Sequence, residues 1–319
     1  MLVALTGATG YVGRYLVREL PQRGHRVRVL LRRPAAMPAN VTTALIGDLR
    51  QPQNLPPALE GAHAVIHCAG IAHTSGVPEE DYQAINTAGT VALARAARQS
   101  GVGRFVFLSS IRAQCGPSAN TVQTEAVEPR PTDAYGKSKL AAERGLAELD
   151  LDWVTLRPVL VYGPGVKANM AQLIKLARSP FPLPLKGIIA RRSLLSLENL
   201  LSAIEIVLAA PKPLRRPYIV AEREALTVSQ MIATMRNGLG RKSNVFFFPP
   251  TLLDAVFRAA GQREAFGRLS GSLVADASSL MSLGWAPVVD TTSGLRILMR
   301  QTQAPQPDLL FGSAASARQ

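Results

Sequence analysis

A tyrosine and a lysine stand four residues apart in Tyr135-Gly136-Lys137-Ser138-Lys139, at the predicted start of a helix. Residues four apart lie on one face of a helix, so the phenol and the ammonium group are expected to be neighbours. A tyrosine with a pKa of about 10 is a poor acid-base catalyst at neutral pH, but a nearby positive charge favours the phenolate. The pair therefore indicates proton transfer to or from a substrate oxygen.

Two serines, Ser109 and Ser110, follow the predicted strand Arg104–Leu108. Open α/β sheets bind their ligands at the carboxyl ends of the strands. A hydroxyl group at this edge could hold a substrate oxygen while Tyr135 passes the proton. A Tyr-x-x-x-Lys pattern alone often marks an ordinary helix surface, but in combination with the serines and the glycine turn described next it becomes specific.

A glycine-rich turn, Thr6 to Gly13, directly follows the apolar strand Leu2–Leu5. Glycines at such a turn let a phosphate approach the backbone N–H groups, and the following helix N-terminus favours negative charge. The turn predicts a dinucleotide site, although a glycine turn without a ligand is the alternative. The residues expected to contact the cofactor here are Gly7, Thr9, Gly10, Tyr11, Val12 and Gly13.

The second predicted strand, Arg26–Leu31, ends where NAD-binding proteins usually carry Asp or Glu for the adenosine ribose. Leu31 occupies that place, and Arg32 and Arg33 follow. Two guanidinium groups without a neighbouring carboxylate favour the 2′-phosphate, so NADP(H) is the preferred cofactor and NAD(H) remains possible. The alternative is that both arginines are solvated loop charges. Asp48-Leu49, after the third strand, is expected near the adenine, unless Asp48 only caps a loop.

Short apolar strands alternate with amphipathic helices over the first 160 residues, which predicts a doubly wound parallel α/β sheet of the Rossmann type. The expected nucleotide-binding domain covers 1–163, with 194–222 returning to it. Residues 164–193 and 223–302 are predicted to form a smaller, mainly helical substrate lobe. The tail 303–319 is predicted to be disordered.

Composition excludes several classes of protein. The chain has 319 residues, two cysteines (Cys68 and Cys115) and four histidines without metal-ligand spacing, so neither a disulfide framework nor a metal site is expected. The N-terminal pattern is not typical of a signal peptide, and there is no apolar run of about eighteen residues, which predicts a cytoplasmic protein without a transmembrane segment. The net charge of +14 suggests an anionic partner. Because the arginines are scattered and no nucleic-acid-binding motif accompanies them, a polyanionic substrate is favoured over nucleic acid.

The chain resembles the extended short-chain dehydrogenase/reductase family, also called the NAD-dependent epimerase/dehydratase group. The matching segments are Thr6 to Gly13, Asp48-Leu49, His67 to Gly70, Asn86 to Thr90, Ser109-Ser110, Tyr135 to Lys139, Arg157-Pro158 and Tyr162 to Gly165. The resemblance implies that Ser110, rather than Ser109, joins Tyr135 and Lys139 in catalysis. It also implies that Cys68, Ala69, Gly70, Asn86 and Pro158 line or support the cofactor pocket. Helices 79–99 and 134–149 are expected to form a homodimer contact.

Within this family the chain is most similar to bacterial UDP-4-keto-6-deoxy-N-acetylhexosamine reductases, which make UDP-N-acetylquinovosamine. That resemblance implies a UDP-linked substrate whose diphosphate binds Arg192, with Asn169, Arg268, Ser109 and Ser110 also in contact with the substrate. Sugar-nucleotide dehydratases carry an Asp-Glu pair where this chain has Ile111 and Arg112, so dehydration is disfavoured.

The leading expectation is NAD(P)H-dependent reduction of a 4-keto nucleotide sugar. Three alternatives remain open. One is a UDP-sugar 4-epimerase. Another is a steroid- or isoprenoid-type dehydrogenase, for which the apolar stretch 249–260 could line the pocket. The last is a non-catalytic NADP-binding subunit.

Overall fold

The structure is a computed structural model that describes residues 1–72 and 76–302, so the predicted tail 303–319 lies outside the described residues. The strands are β1 (Leu2–Thr6), β2 (Arg26–Leu31), β3 (Thr42–Leu45), β4 (Ala64–His67), β5 (Arg104–Leu108), β6 (Trp153–Pro158), β7 (Leu160–Tyr162), β8 (Arg191–Ser196), β9 (Arg216–Val220) and β10 (Ala225–Thr227). The helices are α1 (Tyr11–Gln22), α2 (Leu55–Leu59), α3 (Glu79–Tyr82), α4 (Gly89–Gln99), α5 (Ala134–Ala147), α6 (Ala168–Arg178), α7 (Leu197–Ala209), α8 (Val228–Gly238), α9 (Pro250–Ala259), α10 (Arg263–Ser270), α11 (Ser278–Met281) and α12 (Thr291–Gln301).

Seven parallel strands form the main sheet in the order β3-β2-β1-β4-β5-β6-β9. The order reverses between β1 and β4, and such a switch point opens a crevice at the carboxyl ends of the strands. The predicted Rossmann-type α/β fold is thus confirmed. The crevice lies where β1 ends at Thr6 and β4 ends at His67.

Helices cover both faces of this sheet because its central strands are apolar throughout. Every residue of β1 is buried, as expected for a strand that lies between two helical layers. One core cluster joins the sheet to α1 and α7, through residues such as Leu16 and Leu200. A second cluster on the opposite face joins it to α2, α4 and α5, through residues such as Leu93 and Leu146.

A third core cluster lies between residues 162 and 299, away from the main sheet. It packs α6, α8 and α12 around a small sheet in the order β10-β8-β7, with Met170, Ile232 and Leu295 fully buried. The stretch 194–222 is therefore shared. β8 pairs with β7 and β10 in the small sheet, whereas β9 returns to the main sheet beside β6. We call the residues 164–193 and 223–302 the small lobe.

Candidate functional site

A cavity of about 470 Å³ opens at the switch point, beyond the ends of β1, β2, β3 and β4. The glycine turn follows β1 and lines this cavity, and the loops after β2, β3 and β4 contribute further predicted cofactor residues. The residues predicted from the sequence that line it are Gly7, Thr9, Gly10, Arg32, Arg33, Asp48, Leu49, Cys68, Ala69 and Gly70.

The glycine turn has the geometry that a dinucleotide requires. Gly7 adopts a positive φ of 74°, and a side chain there would lie 2.5 Å from the Ala69 nitrogen. Gly13 packs α1 so tightly against the turn that a Cβ atom would overlap the Gly7 carbonyl group. Gly10 immediately precedes α1, so the helix N-terminus faces the cavity. Phosphate groups bind at such a terminus, and the residues present therefore fit a dinucleotide.

The two arginines after β2 lie at the rim of this cavity. The Arg32 guanidinium group approaches the Asp48 carboxylate at 3.5 Å, and Arg50 approaches the same carboxylate at 3.7 Å. Both partners of the Arg32 pair are largely exposed, so the pair is weak and screened by salt. A phosphate that arrives at this rim could compete with Asp48 for Arg32.

The other predicted cofactor residues lie behind the cavity wall. Tyr11 and Val12 begin α1, and the buried Tyr11 hydroxyl group has no hydrogen-bond partner within the described residues. Pro158 ends β6 beside Val220. Asn86 is fully buried, accepts a hydrogen bond from the Ile71 backbone N–H at 2.8 Å and donates to the Ser138 hydroxyl at 3.1 Å.

Asn86 lies in a π-helical segment, Gln83–Ala88, that joins α3 to α4. The predicted helix 79–99 is therefore continuous but carries a wide turn, a feature that often marks functional sites. The turn places the Asn86 amide between the loop after β4 and the helix that bears the Tyr135/Lys139 pair. Asn86 thus stabilises the cavity wall through its hydrogen bonds to Ile71 and Ser138, and it is not exposed to bulk solvent.

His67 is buried at the end of β4, between the hydroxyl groups of Thr6 at 2.6 Å and Thr90 at 2.9 Å. Burial, together with the charge of Lys139, lowers the pKa of His67 to about 3. The imidazole is therefore neutral and structural near pH 7. Within 1–72 and 76–302, no three His, Cys, Asp or Glu side chains come together in a way that could hold a metal ion.

Tyr135 and Ser110 meet at the end of β5. Asp133 caps the N-terminus of α5 by accepting a hydrogen bond from the Gly136 N–H at 2.7 Å, which starts the helix at the tyrosine. The side chains of Ser110 and Tyr135 are hydrogen bonded to each other. Burial raises the pKa of Tyr135, and the Ser110 hydrogen bond and the Arg112 charge offset this only in part. The expectation of a lowered tyrosine pKa is wrong for this structure, because desolvation exceeds the stabilisation of the phenolate.

Lys139 lies on the same helix one turn further on and is only 4% exposed. Its ammonium group donates a hydrogen bond to the Leu108 carbonyl at 3.0 Å and lies 4.6 Å from the centre of the Phe107 ring. A side chain at Gly70, in the cavity wall, would come within 3.5 Å of Nζ. Burial lowers the pKa of Lys139 to about 8. The lysine is therefore next to the cavity and close to its titration point at neutral pH.

Ser109 does not face the cavity. It is buried, and its hydroxyl group donates a 2.5 Å hydrogen bond to Glu143, which in turn forms a buried ion pair with Arg157. Arg157 also donates to the Gln114 side chain. In this structure Ser109 belongs to the support behind the site, so it cannot contact substrate as placed. Sequence reasoning missed the role of Glu143, although its position four residues after Lys139 on α5 was the available signal.

Arg112 lies beside Ser110 and the start of α5. Its backbone N–H donates to the Ser110 hydroxyl at 3.1 Å, and its guanidinium group pairs with Asp133. The predicted phosphate ligand Arg192, at the start of β8, donates a hydrogen bond to the Pro117 carbonyl at 3.3 Å, so it contacts the segment that follows Ser110.

Two further predicted substrate residues are less closely tied to this centre. Arg268 lies on α10, where its carbonyl accepts a 2.8 Å hydrogen bond from Arg192 and its guanidinium group pairs with Glu264 at 3.4 Å. Its backbone, rather than its charge, is thus what holds Arg192. Asn169 is exposed in the first turn of α6.

No helix within the described ranges 1–72 and 76–302 is long and apolar enough to cross a bilayer.

The chain is similar to known proteins over most of its length. The chain is 32% identical to "UDP-glucose 4-epimerase" of Vibrio cholerae over 309 residues, which cover 92% of the chain and 93% of that protein. It is 29% identical to "Ceramide reductase" of Caulobacter vibrioides, over 90% of the chain and 86% of that protein. The solved structure "MoeE5 in complex with UDP-glucose and NAD" superposes with a TM-score of 0.73 at 26% identity, and covers 95% of this chain and 99% of that chain.

A family model described as "NAD dependent epimerase/dehydratase family" matches residues 3–221, which include the glycine turn, Ser110, Tyr135 and Lys139. Together with the cavity geometry, this match supports a nicotinamide cofactor. The chain is therefore an enzyme of the extended short-chain dehydrogenase/reductase type and belongs to the NAD-dependent epimerase/dehydratase family.

Proposed function

We propose that this enzyme reduces the 4-keto group of a UDP-linked sugar at the expense of NADPH. The observation that carries the proposal is the position of Tyr135. Its hydroxyl group is hydrogen bonded to Ser110 at the end of β5, and Lys139 lies one turn further along the same helix. A positioned, protonated phenol is a proton donor to a carbonyl oxygen, which is what a reduction requires.

Each member of the site has a distinct role in this reaction. NADPH, when bound along the glycine turn, supplies the hydride to the carbonyl carbon. Ser110 orients the carbonyl oxygen, and Tyr135 donates the proton that completes the alcohol. Lys139, charged below its pKa of about 8, lies beside the tyrosine on α5 and holds the cofactor near Gly70.

The rim of the cavity supports NADPH rather than NADH. Leu31 is buried where an acidic residue would bind a ribose hydroxyl group, and it cannot repel a phosphate. Arg32 and Arg33 are exposed beside it and line the cavity. A reductase also needs a cofactor pool that is kept reduced, whereas an epimerase returns its hydride in every cycle.

The segment after Ser110 supports reduction over dehydration. Elimination of water needs an acid-base pair at positions that here hold Ile111 and Arg112. Ile111 is buried, and Arg112 is paired with Asp133.

Arg192 is the residue we assign to the substrate diphosphate, because a guanidinium group binds phosphate in a bidentate manner. We place the enzyme in the cytoplasm, where nucleotide sugars are made.

A UDP-sugar 4-epimerase is the second candidate, favoured by the Vibrio cholerae relative of that name. It would use the same Ser110, Tyr135 and Lys139 to remove a proton and later return it. An apolar ketone is a third possibility, which the Caulobacter relative named "Ceramide reductase" supports.

A turnover assay with two substrates distinguishes these candidates. With a UDP-4-keto-6-deoxy-N-acetylhexosamine, we expect one NADPH to be oxidised for each ketone reduced. With UDP-glucose or UDP-N-acetylglucosamine and a trace of NAD, we expect no epimer. Interconversion of the UDP-sugars without reduction of the ketone would overturn the proposal in favour of the epimerase.

The cofactor preference has its own test. The double variant Leu31→Asp/Arg33→Ser should move the ratio of kcat/KM from NADPH toward NADH by at least about tenfold, since one charge-assisted contact is lost and a repulsive carboxylate is added. An unchanged ratio would contradict the assignment of these residues to the 2′-phosphate.

A further inference from the structure

An exposed apolar surface lies on the small lobe, made of Phe181, Ile189, Phe246, Phe247, Leu252 and Val256. We call these six residues the apolar patch. Within the described residues they are half of the twelve large apolar side chains that are exposed, and Ile189 and Phe181 are 83% and 70% exposed. Single exposed apolar side chains are common, but a cluster of this kind marks an interaction surface.

Two chain segments build the patch, and the backbone joins them. Leu183 forms a parallel bridge with Val245, and the Lys186 N–H donates to the Phe246 carbonyl at 3.0 Å. The patch continues onto α9, where Leu252 and Val256 are four residues apart and exposed while Leu253 is buried in the lobe core. The helix therefore presents a second apolar face that no residue of the described chain covers.

The patch is preformed. The guanidinium group of Arg236, which is 1% exposed, donates hydrogen bonds to carbonyl groups of both segments. The acceptors are Ala177, Ser179 and Phe181 on one segment and Ser243 and Asn244 on the other. The loops that carry Phe181 and Phe246 are thus held against each other. Binding at the patch would therefore lose little conformational entropy of these loops.

Positive charge predominates in the lobe that carries the patch. The small lobe has 15 basic and five acidic residues, so it carries ten of the fourteen net charges of the chain. Its segment 164–193 has six basic residues and no acidic one. On α9, Asp254 forms an ion pair with Arg258, so these two charges neutralise each other and the net positive charge of the lobe is unchanged. A partner that binds this surface must therefore have an apolar region that accepts these side chains and a negative charge that attracts the basic residues.

We propose that the small lobe docks on the surface of an anionic phospholipid bilayer, with the apolar patch inserted at the boundary between headgroups and acyl chains. Apolar side chains surrounded by lysine and arginine are the composition of interfacial membrane-binding elements. A second copy of the chain is a poor occupant, because it would bring the same excess of positive charge to the contact. None of the six residues of the apolar patch lines the cofactor cavity.

Co-sedimentation of the purified full-length protein with vesicles tests this inference. One set of vesicles is phosphatidylcholine alone, and the other contains roughly 30 mol % phosphatidylglycerol. We expect binding to the anionic vesicles and a marked loss of that binding at about 0.5 M salt, where the charges are screened.

Three variants identify the surface. Phe246→Ser/Phe247→Ser removes exposed apolar groups, and Lys186→Glu/Lys242→Glu inverts exposed charge. Each should weaken binding at least about tenfold. Leu45→Ser/Ile297→Ser removes two apolar groups outside the patch that are 49% and 43% exposed, and should bind as the wild type does. All three should keep the solution turnover of the wild type.

Three results would overturn the proposal. One is that the wild type fails to bind anionic vesicles. Another is that the patch variants bind as strongly as the control. The third is that the patch variants change only the oligomeric mass, which would assign the patch to contact between copies of the chain.

Discussion

Tyr135 is the side chain on which the proposed proton transfer depends most. Replacement by phenylalanine keeps the ring that packs at 6.2 Å from Tyr82 but removes the proton donor. Turnover should fall at least about a hundredfold, the usual scale for loss of a positioned acid. Steady-state kinetics with saturating NADPH would measure this loss, and cofactor binding should be retained.

Tyr15→Phe is the matched control for that variant. It removes a hydroxyl group that donates to Glu198 at 3.0 Å, on the face of α1 away from the cavity. Its stability should drop by about 1 kcal/mol while turnover stays unchanged. Near-normal turnover in the Tyr135 variant would remove the phenol from the mechanism.

Lys139 links the chemistry to stability. Burial lowers the pKa of Lys139 from 10.5 to about 8. Between pH 8 and pH 10.5 the lysine is therefore protonated in the unfolded chain and neutral in the folded chain. Stability from this site therefore rises with pH across that window, and below pH 8 the buried charge costs up to about 3 kcal/mol.

The Lys139→Met variant should accordingly be more stable than the wild type at pH 7, by about 1–3 kcal/mol, and lose that advantage near pH 10.5. Urea unfolding of both proteins at two pH values, without added cofactor, gives the difference directly. A difference that does not vary with pH would show that the lysine is not desolvated in the folded state.

Residue types and spacing were sufficient to place the pair Ser109-Ser110 near Tyr135 and Lys139, because the last two share a helix face and the serines end a strand. The choice of Ser110 over Ser109 came from the family resemblance. The burial of Ser109 was not predictable in this way. Its hydroxyl group is bound by Glu143, which is itself held by Arg157 from another strand. Such a contact depends on three elements whose relative positions the local sequence does not specify.

The attachment of α5 to β6 depends on the Glu143–Arg157 ion pair, whose side chains are 6% and 4% exposed. Removing one partner leaves the other charge buried. Arg157→Met should therefore cost about 3–5 kcal/mol of unfolding free energy, and the double variant Glu143→Gln/Arg157→Met should recover part of that loss. Urea denaturation of the three proteins tests the coupling, and equal stability of the single and double variants would contradict it.

Secondary structure with strong periodicity was predictable, and long-range pairing was not. The run 79–99 was predicted as one helix, but its π-helical turn depends on the Asn86 contacts with Ile71 and Ser138. The small sheet of β7, β8 and β10 was missed for a related reason. Its strands are three to six residues long, and each pair of neighbouring strands is separated by 28 residues, so no local sequence pattern indicates their pairing.

At the scale of the whole molecule, the outer surface of α4 and α5 is expected to form a homodimer. Small side chains recur there, with Ala88 at the end of the π-helical segment, Ala92 on α4 and Ala141 on α5, and each is at least partly exposed. Small residues let paired helices approach closely, and two copies related by a two-fold axis would form a four-helix contact.

Ala88→Arg should break this contact, because the long charged side chain has no room between closely packed helices. Light scattering should give twice the 34.1 kDa chain mass for the wild type and the single mass for the variant. Ala209→Arg, at the exposed end of α7 on the opposite face of the sheet, is the matched control and should remain dimeric. A wild type of single mass would refute the homodimer, and a dimeric Ala88→Arg variant would move the interface elsewhere.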